Sequence, residues 1–473
     1  MELGDDRGQA VQVGAVLLFA VLILLMSFYQ ASVVPNENEQ IEYNDFREAT
    51  ADVSHLRDAL VRSSSDDATV GVTIKTGSRY PARVLFVNPA PPQGRLRTTD
   101  AATVRIANAT AVGSESENVG LFWNGSLHTL SHRNVAFDPN YNEFRAAPVR
   151  IEQGYVYRAY DDPVSETPQT LVQGNRITLV TVAGDLGAGG HTTGVTVEPA
   201  SAHVRTVTVT SDGDDPFNVT VPTALSASVW EERVLADQLD EGNDDTDFPN
   251  RYVRNVTDVP DEDAVNVTLE PNATYELRLA RVELRRSDDD STVETPPARY
   301  VTRVGDNVVE DGDDGRAKLV VEARDRFNNP RSNANVTFDA SSGHFEDADG
   351  DVLGTDGVTV RTDDDGKAVV WYNASAGVYS ADAYLGDEVD ASLSPEKKVE
   401  FTVVSSDPGG GGAGGGGRGE GSSFILLNDT DTSDRQNGNV TLTLDNTGDA
   451  SLNLTGIQLA HVTDIQGNPS DSR

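Results

Sequence analysis

Apolar and polar positions change rhythm several times along this chain, and each change predicts a different element. From Ala10 to Tyr29 the sequence AVQVGAVLLFAVLILLMSFY carries no charge. At 1.5 Å per residue such a run spans about 30 Å, the hydrocarbon thickness of a bilayer. The pattern predicts a cytoplasmic leader over 1–8 and a transmembrane helix over 9–30, with Tyr29 at the outer interface. Pro35 then predicts a break or kink. Helical periodicity resumes beyond it. Phe46, Ala49, Val53, Leu56 and Leu60 recur at spacings of three and four, an apolar seam along a helical stalk over 36–64. Packing on the chain's own β-domain is the first reading of that seam, and packing against neighbouring subunits is the second.

The rhythm then shortens to alternation. ATVGVTIKTG, ARVLFVN, NRITLVTVAG, TTGVTVEPA, HVRTVTVTSD, AVNVTLEP and TYELRLARVELR place branched or apolar residues at about every second position, the signature of half-buried strands. Asn88-Pro89, Gly189-Gly190, Asp212-Gly213 and Pro271-Asn272 separate them as turns. Residues 65–295 therefore read as a β-rich, sandwich-like ectodomain of one or two domains. Thr223–Leu239, with Pro222 before it, is the one predicted helical interruption, and the acidic loop Asp240–Asp247 follows.

Alternation continues over 296–405. Leu319, Val321 and Ala323 form an apolar face against Val320, Glu322 and Arg324. Asn329-Pro330 and Asp365-Gly366 are turn dipeptides, and Trp371 is the aromatic expected to fill the core. Pro408–Gly421 (PGGGGAGGGGRGEG) reads as a flexible linker within 406–421. A small β segment over 422–473 has strands at Phe424–Leu427, Val440–Leu444 and Leu452–Leu459, with a turn at Asn446–Asp449. The predicted fold class is mainly β: a transmembrane helix, a short helical stalk, a sandwich-like ectodomain and an Ig-like sandwich.

Charge and composition narrow the function. Lys plus Arg is 37 against 76 Asp plus Glu, a net charge of −39. Such a surface excludes nucleic acid as a partner, because phosphate contacts need a basic face. The acids are spread among strand formers, which suits a folded, salt-adapted surface; at molar salt the Debye length of about 3 Å screens its self-repulsion. There are no cysteines, so disulfides, thiolate metal sites and thiol nucleophiles are excluded. HExxH, G-x-S-x-G and P-loop signatures are absent from the sequence.

Candidate chemistry is correspondingly thin, and no cofactor is expected. His128 and His132 lie four apart and read as two solvent-facing histidines on a strand and loop. Asp347–Asp351 has Val352 and Val358 where a calcium loop needs Gly and Glu, so it and Asp363-Asp364-Asp365 read as hydrated acidic loops. Eleven N-x-[ST] sequons lie beyond the apolar run: Asn108, Asn124, Asn218, Asn255, Asn266, Asn272, Asn335, Asn373, Asn428, Asn439 and Asn453. They agree with an external glycoprotein.

Three resemblances add to this. Asp6-Arg7-Gly8-Gln9, set directly before the apolar run, resembles the class III signal of archaeal pilins and archaellins. That resemblance implies a cut between Gly8 and Gln9, with Arg7, Gly8 and Gln9 as the processing residues and the helix retained. Arg79–Asn88 (RYPARVLFVN) resembles part of haloarchaeal surface ectodomains of unassigned function. Residues 297–405 resemble the bacterial Ig-like domain of group 1, the repeat of intimin and invasin stalks. The matching elements are a D-x-x-N-N-P turn, a V-T-F strand, an S-x-G turn, T-D-x-x-G-x-A, an A-G turn and a closing V-x-F-T strand. Asn328 stands where that family usually has Gly, and Asn tolerates the same backbone. The implied role is spacing or presentation.

Taken together these readings give a non-catalytic surface protein. A single N-terminal span holds it in the cell membrane, the bulk of the chain is extracellular, and its service is adhesion or envelope interaction with a protein or glycan partner. A minor pilin-like subunit, self-associating through the N-terminal helix, is the alternative. A surface hydrolase is the third reading and would need a carboxylate pair in a cleft.

Overall fold

The computed structural model describes residues 6–113, 118–202, 205–211, 215–239, 251–312, 314–390, 392–405, 426–431 and 441–445. The Gly-rich linker, Asp240–Asp247, His203, Asn439, Asn453, the turn at Asn446–Asp449 and the strand expected at Leu452–Leu459 lie outside the described residues. The chain divides into two compact units, Met1–Pro408 and Gly409–Arg473. In the second, Leu426–Asp431 and Thr441–Asp445 pair as an antiparallel hairpin.

Helix α1 (Asp6–Phe28) and helix α2 (Val34–Asp66) are joined by a single π-turn, Tyr29–Val33. The break expected at Pro35 does not occur. Pro35 lacks the N–H that would close a bond one turn back, and its ring crowds the preceding carbonyls. The π-turn widens the helix just before it, with the Val34 N–H donating to the Tyr29 carbonyl five residues back. The proline thus sits at the start of a new helical segment, where its missing donor costs little.

The seam on α2 packs on the chain's own sheets. Phe46, Ala49, Val53, Leu56, Ala59 and Leu60 share a core with Ile74, Val135, Val149, Val195, Val197 and Leu284. Polar residues continue the buried stripe toward α1. The Glu42 carboxylate is fully buried, and it accepts the backbone N–H groups of Asn142, Glu143 and Phe144 at 3.0, 2.8 and 2.6 Å. The second reading of the seam, contact with neighbouring subunits, has no free apolar face left on this stretch.

Two long strands, Arg176–Ala183 and Tyr275–Arg286, run parallel through the middle of residues 70–286. Their first halves (Ile177, Leu179, Leu277, Leu279) belong to a second core, with Trp123, Phe217 and Trp230. Their second halves (Val182, Val282, Leu284) belong to the core under α2. Shared strands make these two cores one continuous body. The interruption predicted over Thr223–Leu239 is shorter than expected. Pro222 ends a strand, and the helical turns cover only Ala227–Val234. ARVLFVN forms no strand; residues 78–92 cross the surface as a loop.

The Ig-like module is a sandwich of two five-stranded sheets. Val301, Leu319, Val321, Ala323, Val336, Phe338, Phe345, Val370, Tyr372, Val399 and Phe401 line its core. Trp371 is not in it. Along Lys367–Asn373 the inward positions are Ala368, Val370 and Tyr372. Strand parity therefore turns Trp371 out, where Lys318 and Arg316 lie over its ring at 5.4 and 5.9 Å. Tyr372 takes the core place and donates its hydroxyl to the Ser342 carbonyl at 2.6 Å. Tyr372→Ala should cost about 3–5 kcal/mol and Trp371→Ala less than about 1 kcal/mol. Denaturant midpoints of the two variants check this, and equal losses would contradict the parity.

Candidate functional site

Two places combine exposure, charge and geometry in a way that bears on function: the N-terminal helix and the joint that carries the Ig-like module.

On α1 the apolar side chains from Val11 to Phe28 face outward, with Leu18 74 % exposed. The window has the length and composition to cross a membrane, and none of it is buried in the protein. One continuous helix therefore presents an unpartnered apolar first half and buries the apolar face of its second half. Arg7, Gly8 and Gln9 lie in the first turns of this helix, directly before the apolar run. At its other end the Tyr29 hydroxyl donates to Glu37 at 3.2 Å. That bond directs the phenol away from the apolar run, as an interfacial tyrosine requires. The Arg83 guanidinium, 2.6 Å away, outdoes the slight desolvation of Glu37 and holds its carboxyl below the usual range.

The joint is built on the turn Asp325–Pro330. Asn328 adopts φ +67, the left-handed conformation expected at that position. The Asp325 carboxylate accepts the Phe327 and Asn329 N–H groups at 2.8 and 3.2 Å; burial nevertheless pushes its pKa up to about 6. This turn also docks the module. Phe327 and Tyr300 sit in the core of the neighbouring body, with Tyr300 stacked on Phe122 at 4.7 Å. Asn329 donates from one amide to Ser201 Oγ and to the Leu279 carbonyl, both at 2.9 Å. Glu322, expected on an exposed face, is buried. It accepts two bonds from Arg205, at 3.1 and 2.6 Å, and one from Arg324 at 2.6 Å. Desolvation pushes the Glu322 carboxyl up, and the two guanidinium groups more than reverse it, leaving it below the ordinary value. Sequence alternation gave Glu322 the right face of its strand. The contact that covers that face comes from more than a hundred residues earlier and leaves no local signal.

Beside the joint is an open cleft of about 350 Å³, lined by Phe122, Asn124, His128, Arg299, Arg326 and Glu396 among others. A second, of about 460 Å³, lies between α2 and the loop around Phe144 and includes Glu166. Each holds one carboxylate, where a hydrolase of the kind considered above needs two. Among the described residues no group of three His, Asp or Glu is placed to hold a metal ion. Asp347 and Asp363 each accept two backbone N–H groups of their own turns, so both acidic runs are self-capped turns.

The histidines correct the sequence reading. His132 is buried and His128 is partly buried against Phe122 and Trp123. His132 donates Nε2–H to Asn134 Oδ1 at 2.8 Å, while Nδ1 accepts the Val182 N–H at 3.1 Å. A second ring proton would point at another donor. Burial lowers both histidines to about 4. Between pH 6.5 and about 4 the unfolded chain binds a proton that folded His132 refuses, so stability is lost as pH falls through that window. For His132 the loss approaches about 3 kcal/mol. Asp325 acts in the opposite sense as it protonates near 6. The pH dependence of wild type minus that of His132→Gln isolates the histidine; identical slopes would refute its neutral burial.

The sequons divide by geometry. Asn255 and Asn272 are exposed, and so is Asn124, although its Nδ2 donates to the Leu121 carbonyl at 3.2 Å. Asn108, Asn218, Asn266 and Asn373 already donate their Nδ2 hydrogens within the protein, to Pro216, Pro216, Asn218 and Glu346 respectively. Asn335 is partly buried in a strand, and Asn428 lies in the hairpin of the second unit.

No family model matches this chain, and comparison with curated proteins finds no match. Among solved structures, that of Yersinia pseudotuberculosis adhesin InvE aligns at 15 % identity with a TM-score of 0.17. The alignment covers 41 % of this chain and 55 % of the adhesin, so this chain spans about half that protein's length.

Proposed function

We propose that this chain is a membrane-anchored, non-catalytic surface protein that holds a rigid β-rich ectodomain outside the cell and presents an Ig-like module for adhesion or envelope interaction. The observation that carries the reading is the single helix α1–α2, apolar and bare over Val11–Phe28 yet built into the ectodomain core from Phe46 onward. Anchor and ectodomain then share one element, and the joint at Glu322 extends that rigidity into the Ig-like module. The group 1 assignment of that module belongs to this proposal. So do a salt-adapted acidic surface, cleavage after Gly8, and glycans on the exposed Asn255 and Asn272 in preference to the five asparagines whose side chains already donate within the protein. The partner is a surface or envelope protein or glycan.

A filament subunit is the second reading, favoured by the same bare α1, whose apolar side chains are open to self-association. Mass spectrometry of the mature N-terminal peptide from native membranes, with glycopeptide mapping, tests these together. The expected result is a detergent-extracted chain starting at Gln9. A start at Met1 or Glu2 keeps the anchor and removes the pilin-type processing. A soluble chain starting beyond Ser32 would overturn the anchor itself.

A further inference from the structure

The loop Arg79–Asn88 exposes three large apolar side chains in succession around a bend: Val84 at 98 %, Leu85 at 70 % and Val87 at 76 %. Its place along the helix gives these a meaning. Arg83 pairs with Glu37. Three residues on, Phe86 stacks on Tyr29 with ring centroids 4.4 Å apart. Between those helix positions the axis rises about 12 Å, so the loop descends α2 and turns at the end of the apolar run. There it is clamped: the Gln30 side chain donates to the Val87 carbonyl at 2.9 Å and accepts the Val87 N–H at 3.0 Å. The loop also braces itself, with Asn88 Nδ2 donating to the Pro81 carbonyl at 2.7 Å and Arg83 Nε donating to Asn88 Oδ1 at 2.8 Å. Pro81, Pro89, Pro91 and Pro92 restrict its backbone further.

Charge gives an independent indication. Residues 68–99 contain no Asp or Glu, although a stretch of that length at this chain's composition would carry about five. The basic residues Lys75, Arg79, Arg83, Arg95 and Arg97 fall within it. In a chain of net charge −39, negative charge is missing from the segment that reaches the end of the span.

We propose that Val84, Leu85 and Val87 enter the headgroup–acyl boundary of the membrane beside α1, making the loop a second, interfacial contact with lipid. The proposal rests on the anchor reading above. Its consequence is orientation. A lone helix leaves the ectodomain free to tilt, whereas a helix with an apolar loop clamped beside it fixes both height and azimuth.

The chain lacks cysteine, so single substitutions place a probe without background. Full-length Leu85→Cys, Leu18→Cys and Val352→Cys, each carrying an NBD fluorophore, are reconstituted into vesicles of phosphatidylcholine and phosphatidylglycerol containing acyl-chain nitroxide lipid. The expected result is strong quenching of the Leu85 and Leu18 probes by the lipid nitroxide, with severalfold protection from aqueous iodide, while Val352 behaves oppositely. A Leu85 probe that matches Val352 while Leu18 is quenched would overturn the loop contact and leave the anchor standing. Iodide protection at Leu85 without lipid quenching would also overturn it, since a second copy would then be covering the loop. An unquenched Leu18 removes the anchor and the loop contact together.

Discussion

Leu56→Asp is expected to unfold the ectodomain, although it lies on a helix that could be mistaken for a free stalk. Leu56 is 0 % exposed and packs in a core with strands that come before and between the two long central strands. Removing a fully buried leucine to Ala alone costs about 2–5 kcal/mol. An aspartate adds a carboxylate with no partner in that core, and its burial is resisted by several kcal/mol more, whether it stays charged or is forced to protonate. The sum is comparable with the whole stability of a domain, about 5–15 kcal/mol. Far-UV circular dichroism in detergent should show lost cooperative melting of the β-signal in Leu56→Asp. Glu39→Lys, at an exposed position on the same helix, should melt like wild type. A normal β-melt in Leu56→Asp would mean that α2 stands apart from the sheets.

The spacing of Phe46, Ala49, Val53, Leu56 and Leu60 was enough to locate this helix and its buried face, because a 3.6-residue period is a local property of the chain. What the period could not reveal is that Asn38 and Glu42 extend the buried stripe. Glu42 is held by backbone donors near Asn142, a hundred residues away, and Asn38 Oδ1 accepts from Arg83, forty-five residues on. Trp371 and Tyr372 show the same limit in another form. Alternation identified the strand, but either neighbour could be placed inside, and a one-residue change of parity exchanges core and surface. At Pro35 a local rule misled, since a π-turn offers the helix a way past a proline that the rule does not count. The Arg79–Asn88 loop misled for a related reason. Four consecutive apolar residues read as a strand, yet no sheet edge receives them. The joint was the least legible part. Asp325–Pro330 was recognisable as a turn, while Ser201, Arg205 and Leu279, which make it a docking surface, belong to distant strands and loops.

That joint carries the second large effect. Glu322→Ala should release the Ig-like module from its fixed position while leaving the module folded. The substitution leaves the guanidinium groups of Arg205 and Arg324 without the carboxylate that both bind, one of them at a largely buried site. Removing one partner of a buried ion pair costs about 3–5 kcal/mol, mostly the penalty of the charge left behind. The side chain lies outside the sandwich core formed by Leu319, Val321 and Ala323, so the cost falls on the contact between the bodies. Separation would have to move Phe327 and Tyr300 out of the neighbouring core and break the Asn329 bonds and the Arg331 bond to the Ala200 carbonyl, a contact weakened by the lost ion pair. Spin labels at Val164→Cys and Val389→Cys, one on each body, read this directly. Wild type should give one narrow distance distribution by pulsed electron paramagnetic resonance, and Glu322→Ala a broad one. Thermal unfolding should change in step, from one cooperative transition to two as the bodies melt independently. An unchanged narrow distribution would show that the aromatic packing of Tyr300 on Phe122 holds the joint without the ion pair. On the proposed surface role, a module fixed in this way would transmit the orientation of α1 to its far end, and Glu322→Ala would let the Ig-like sandwich turn relative to that helix.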